Sequence, residues 1–300
     1  MKSEISPMRV FVTGATGFVG AAVVSELLAH GYQVVGLSRS EAGATALEAL
    51  GAEAARGVLE DVDLLTRLAA EADGVVHTAF NHDFSRFAEN CQLDRRAILA
   101  LGEGLVGSDK PLLVTSGTAR LAPGRLALET DIPAEGVDGY PRLSESAAAE
   151  LVARGVRAST VRLAPSTHGA GDHGFVPILI DLARRTGVSA YLGEGQNRWS
   201  GVHRLDAAKV YRLALERGVG GERYHAVDEE GVPFREIAAA IGKGLNLPVE
   251  SRPPEHFGWF SMFAGMDAAT SSAWTRETLG WAPTEAGLLE DIASAGYFAG

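Results

Sequence analysis

Apolar and polar positions along the first half of the chain alternate between short β-branched runs and longer Ala/Leu-rich stretches of helical period, the pattern of repeated βαβ units. The runs predict strands over Arg9–Thr13, Gln33–Ser38, 74–78, 112–116 and 158–163, with a weaker one near 53–57. Helices are predicted over 17–30, 42–50, 61–71, 83–106 and 140–154. In the first of them Val19, Val23, Val24, Leu27 and Leu28 form one stripe that stops at Gly31, a C-terminal capping residue. Strands one, two, four and five read as near-continuous apolar runs, which suits parallel strands covered on both faces. The expected fold is therefore α/β, a doubly wound parallel sheet over residues 9–165. Beyond 165 the helices shorten and Gly, Pro, His and Trp become frequent, so 166–300 reads as a smaller, mainly substrate-binding part. Segment 199–217, with Asp206 placed as a helix N-cap, is expected to return to the main sheet.

Composition narrows the function classes. With 46% apolar and 22% charged residues, the chain has material for a core and lacks the polar excess of a disordered one. Its 27 Lys and Arg against 38 Asp and Glu give a net charge of −11, a field that repels polyanions, so nucleic acid is not expected as a partner. The single cysteine, Cys91, permits no intramolecular disulfide, and no Cys/His spacing suggests structural zinc. No apolar run approaches the roughly 20 residues of a membrane span. These features predict a soluble, cytoplasmic monomer or homodimer with a small-molecule substrate, and neither a membrane nor a metal partner.

The first strand runs into Gly14, Ala15, Thr16, Gly17, Phe18, Val19 and Gly20, with a helix starting inside that turn. Gly14 permits the tight turn, Gly17 lets backbone N–H groups approach a pyrophosphate, and Gly20 permits close helix-to-strand packing, as in Rossmann-type dinucleotide sites. An NAD site normally carries an acidic residue at the end of the second strand; this chain has Ser38, Arg39 and Ser40 instead. A guanidinium between hydroxyls suits a 2′-phosphate, which points to NADP (NADPH). The competing reading is a surface arginine paired with Glu41.

From these motifs the chain resembles the extended and atypical short-chain dehydrogenase/reductases, the superfamily of NAD(P)-dependent epimerases and dehydratases. The resemblance rests on the glycine turn, on Val75-Val76-His77-Thr78-Ala79-Phe80, on Thr115-Ser116-Gly117-Thr118, on Arg162 through Gly171, and on Gly201 through Ala208. It implies that Thr78, Ala79, Phe80, Thr115 and Pro165 line the dinucleotide. It also implies a YxxxK pair, a tyrosine that transfers a proton and a lysine that binds ribose and lowers the tyrosine pKa. Here the motif reads Tyr140-Pro141-Arg142-Leu143-Ser144, so Tyr140 is the expected catalytic residue while Ser144, as a ribose-binding residue, brings no charge. Arg142 supplies that charge only if the helix has not yet begun at its position. Gly117 stands where the superfamily has a hydroxyl, leaving Thr118 as the preferred catalytic alternative and Ser116 as a structural one.

His168, His173, Phe175, Trp199 and His203 are expected to bind substrate, converging with Tyr140 outside the carboxyl ends of the strands. For His203 a packed, strand-anchoring role is the stronger alternative, and His77, inside an apolar strand, reads as structural. Residues 257–266, with Phe257, Trp259, Phe260, Met262, Phe263 and Met266, read either as core or as an apolar wall for a hydrophobic ligand. The resemblance implies an NADP-dependent oxidoreductase, a carbonyl reductase acting on a small, moderately apolar metabolite. An epimerase, isomerase or dehydratase, and a non-catalytic NADP-sensing regulator, are the alternatives.

Overall fold

A computed structural model of the chain describes residues 7–133, 141–294 and 296–298. Along it run β1 (Arg9–Thr13), α1 (Phe18–Ala29), β2 (Gln33–Ser38), α2 (Glu41–Ala49), β3 (Glu53–Arg56), α3 (Val62–Glu71), β4 (Gly74–His77), α4 (Phe87–Glu103), β5 (Pro111–Gly117), α5 (Ser144–Ala153) and β6 (Arg157–Leu163). There follow β7 (Ser166–His168), α6 (Phe175–Thr186), β8 (Ser189–Tyr191), β9 (Arg198–His203), α7 (Arg204–Arg217), β10 (Arg223–Ala226), β11 (Glu229–Pro233), α8 (Phe234–Leu245), β12 (Val249–Ser251), α9 (Ser261–Ala264), α10 (Ala273–Leu279) and α11 (Leu288–Ser294).

The chain divides into two compact units, one of residues up to Ser116, Ala134–Val161 and Ala208–Tyr224, the other of the remainder. The main sheet has seven strands in the order β10-β6-β5-β4-β1-β2-β3. β1 pairs in parallel with both β2 and β4, setting Val12 beside Gly36 and Val76, and Thr13 beside His77. Its buried Val10, Phe11 and Val12 show why the run is apolar throughout. On one face Leu65, Leu68, Ile98, Leu101, Ala147 and Leu151 pack with Val75, Leu112 and Val114, seating α3, α4 and α5. The order gives a doubly wound α/β fold whose topology reverses between β1 and β4.

In the second unit β9 lies between β7 and β11, and β12 pairs with β8. Trp199 is fully buried among Phe175, Phe234 and Phe260. Phe257, Phe260, Phe263 and Met266 are buried as well, so those residues of 257–266 are core, while Trp259 and Met262 face outward. All four tryptophans, Trp199, Trp259, Trp274 and Trp281, belong to this unit.

Several boundaries differ from the sequence reading. Of segment 199–217, the strand part pairs with β7 and β11 rather than with the main sheet, and the residues from Ala208 belong to the first unit. Asp206 is not an N-cap. It lies inside the first turn of α7, and its carboxylate accepts hydrogen bonds from the N–H groups of Thr284 and Glu285. α5 begins at Ser144, and 141–143 are not helical. Among the described residues no helix is long and apolar enough to cross a membrane.

Candidate functional site

The turn after β1 is built on backbone proximity. Gly14 has φ +68°, and a Cβ there would lie 2.6 Å from the Ala79 nitrogen; at Gly20 it would lie 2.0 Å from the Gly14 carbonyl. These contacts admit only glycine and draw α1 against the ends of β1 and β4. Thr16 and Gly17 are exposed, and no side chain caps the twelve-residue α1, with Phe18 and Val19 half-buried in its first turn. An open turn leading to a helix start without a side-chain cap fits a pyrophosphate through its N–H groups and its dipole.

At the end of β2, Ser38 is buried and donates to the Ser40 carbonyl at 2.9 Å. The Ser40 hydroxyl oxygen accepts from Gly43 N–H at 3.1 Å, capping α2 and leaving its proton to be donated outward. Glu41 is ion-paired with Arg56 rather than with Arg39. The Arg39 guanidinium is exposed and has no partner among the described residues. Arg56, directly beside Ser38 in the parallel β2–β3 register, adds a second guanidinium at this corner. Sequence reasoning missed it, because only the strand pairing brings residue 56 next to residue 38.

The ends of β4 and β5 carry a buried polar chain. Thr13 Oγ1 lies 2.7 Å from His77 Nδ1, and His77 Nε2 lies 3.0 Å from Asp94 Oδ1. Ser144 Oγ donates to Asp94 Oδ2 at 2.5 Å and accepts from Arg142 Nε at 2.8 Å. Burial alone would raise the Asp94 carboxyl, but the hydrogen bond from His77, the charge of Arg142 and the hydrogen bond from Ser144 hold it below its ordinary value. Arg142 also donates to the Thr115 carbonyl at 3.4 Å and stacks 3.9 Å above the Phe80 ring. Because α5 starts only at Ser144, Arg142 is free of the helical spacing that would have turned it away.

The other positions expected from sequence divide clearly. Ser144 is fully buried with its hydroxyl engaged by Asp94 and Arg142, so it does not present itself to a ribose. The Thr78 hydroxyl donates to the Thr13 carbonyl, and the Thr115 hydroxyl is engaged with the His77 carbonyl and the Tyr211 hydroxyl; both brace the sheet. Thr118 is buried, with its hydroxyl 3.4 Å from that of Ser200. Ser116 has no side-chain hydrogen bond among the described residues, and strand alternation puts it on the face of Leu112 and Val114, the side covered by α5. Tyr140 lies outside the described residues. Pro165 is half-buried between β6 and β7.

In the second unit the expected substrate residues do not all line an open surface. Trp199 is core, its indole N–H donating to the Phe263 carbonyl. His168 is 1% exposed, with Nδ1 2.7 Å from Asp291 and Nε2 buried without a hydrogen-bond partner. Burial lowers its pKa despite Asp291, which makes it a neutral, sequestered imidazole and not an accessible acid. His203 packs edge-on against it at 5.6 Å and accepts from Leu205 N–H, the strand-anchoring alternative. Phe175 is half-buried in the aromatic core, and His173 is exposed. Asp172, next in the chain to His173, accepts from the Tyr297 hydroxyl and the Gly174 N–H.

The sheet order and the glycine turn define a doubly wound fold of dinucleotide-binding type. The model of the NAD dependent epimerase/dehydratase family matches residues 10–97. The chain is 50% identical over 298 residues to an uncharacterized protein of Schizosaccharomyces pombe, covering 97% of this chain and 100% of that one. It is 33% identical to the 4-hydroxy-2-methyl-3-oxo-4-farnesyl-3,4-dihydroquinoline-1-oxide ketoreductase of Stigmatella aurantiaca, over 84% of this chain and 80% of that one. The Thermus thermophilus UDP-glucose 4-epimerase, solved as a complex with NAD, has the same fold, with a TM-score of 0.75, 22% identity and coverage of 98% and 99%. The chain belongs to the NAD dependent epimerase/dehydratase family, within the extended short-chain dehydrogenase/reductases, whose members include reductases, epimerases and dehydratases.

Proposed function

We propose that the protein is an NADP-dependent reductase of a carbonyl group on a small, moderately apolar metabolite. The observation that carries the cofactor preference is the corner at the ends of β2 and β3. There Glu41 is occupied by Arg56, Arg39 is unpaired among the described residues, and the Ser40 hydroxyl has a proton to donate. The Arg39 guanidinium and the Ser40 hydroxyl suit a 2′-phosphate and give an unphosphorylated ribose nothing extra, while Arg56, held by Glu41 and the Arg39 carbonyl, keeps the Glu41 charge from repelling it. The turn from Gly14 to Gly20 would hold the pyrophosphate.

When bound, the nicotinamide supplies the hydride. The chain's own part is to hold the carbonyl and deliver a proton to its oxygen. Tyr140 is the proton donor in this reading, and Ser116 offers the hydroxyl that polarises the carbonyl. With serine at 144 no lysine depresses the phenol, which then stays neutral at pH 7, the state that reduction requires. The kinship with a ketoreductase supports the direction.

Titration calorimetry tests the cofactor. NADPH is expected to bind about ten-fold or more tightly than NADH, with most of that preference lost in Arg39→Ala and part of it in Arg56→Ala. Equal affinities in the unaltered protein, or a preference that survives Arg39→Ala, would overturn the reading.

A further inference from the structure

The strand order fixes which half of a dinucleotide lies where. With the pyrophosphate at β1 and the phosphorylated adenosine ribose at Arg39 and Arg56 on the β2–β3 side, the nicotinamide riboside half falls across the switch point, over the ends of β4 and β5. Arg142 stands there, fixed by Phe80 after β4 and by the Thr115 carbonyl of β5. We propose that Arg142 binds the nicotinamide riboside half of the cofactor, donating from its second terminal nitrogen to a ribose or carboxamide oxygen. The assignment rests on the dinucleotide reading of this crevice and extends it to a residue outside the glycine turn.

Three observations point the same way. First, the guanidinium is only partly used: Nε goes to Ser144 and Nη2 to Thr115, while Nη1 has no hydrogen-bond partner among the described residues. Only a planar fork can hold both anchors and still present a donor edge; a lysine at this position offers one ammonium for all three tasks. Second, the anchor is itself anchored. Ser144, Asp94, His77 and Thr13 form a fully buried series, and the ionised Asp94 at its centre offsets the cost of bringing the Arg142 charge off the surface. Third, the Phe80 face fixes the plane of the guanidinium, so the free edge is held in one orientation before any ligand arrives. The buried residues are positioning residues; Arg142 alone makes the contact.

Two probes separate this role from a purely structural one. NADPH carries both halves of the cofactor, and 2′,5′-ADP carries the phosphorylated adenosine half only. By calorimetry Arg142→Gln is expected to weaken NADPH at least about ten-fold and to leave 2′,5′-ADP within about two-fold, whereas Arg39→Ala weakens both. Unchanged NADPH affinity in Arg142→Gln, or equal losses for the two probes, overturns the proposal. If the unaltered protein binds 2′,5′-ADP no more tightly than 5′-ADP, the NADP preference falls, and the same contrast run with NADH against 5′-ADP still decides the role of Arg142. Should Arg142→Gln alone fail to fold because Asp94 is left without its counter-charge, the Asp94→Asn/Arg142→Gln double variant removes both charges and carries the same test.

Discussion

Gly117 stands at the end of β5, at the position where the family resemblance puts a hydroxyl. Among the described residues a Cβ built there meets only the Leu163 carbonyl, at the ordinary contact distance of 3.7 Å, and the backbone is not in the left-handed region. Gly117→Ser therefore fits without strain. If carbonyl polarisation is shared between the residues at this strand end, the added donor is expected to raise kcat by about ten-fold and to leave Tm within about 2 °C. NADPH consumption and a thermal melt read the two outcomes, and an unchanged kcat would leave Ser116 as the sufficient hydroxyl. At this scale the sequence was a partial guide. The tight turn at Gly14, Gly17 and Gly20 was legible from its spacing after the first strand, although the backbone that leaves no room for a side chain at Gly14 is that of Ala79. Arg56 was not legible, because its place depends on the β2–β3 pairing. The inward turn of Ser144 was hidden too, since it depends on Asp94, fifty residues earlier, which carries no motif of its own.

Six of the seven main-sheet strands were legible to within one or two residues, the central ones because a buried parallel strand must be apolar along its whole length, whereas the edge strand β10 was missed. The short strands of the second unit were not. β7, β8 and β12 have three residues each, too few to show a period of two, and their pairings join distant parts of the chain. α11 shows how such elements are held. Its Asp291 grips His168 on β7, and Tyr297 beyond its end bonds Asp172 and receives the Gly169 N–H. Asp291→Ala leaves both ring nitrogens of a buried imidazole unsatisfied, and a loss of about 1–3 kcal/mol is expected in urea-induced unfolding. A negligible change would mean that apolar packing, not the His–Asp pair, seats the helix.

At the scale of the whole molecule, the buried imidazole sets an acid limit. The pKa of His168 is lower in the folded chain than its ordinary 6.5, so the unfolded state binds the proton first as pH falls. Its contribution is complete above about 6.5 and declines as pH drops below that value toward the lowered one. The midpoint of unfolding is therefore expected to fall between pH 7.5 and 5.5, and to fall less in His168→Gln. Asp94, held below its ordinary value of 3.8, adds a second loss only at much lower pH. An identical pH step in the variant would assign the acid sensitivity to other groups.

The placement of the tryptophans gives the chain an internal pair of reporters. Indole fluorescence originates wholly in the second unit, while Cys91, the one thiol, is buried on α4 in the first, where burial pushes its pKa up to about 11. A thiol that is both covered and protonated resists alkylation until its surroundings open. Emission and alkylation followed in parallel through one denaturant series thus time the opening of each unit without any added label, and the separation of the two midpoints measures how cooperatively they unfold.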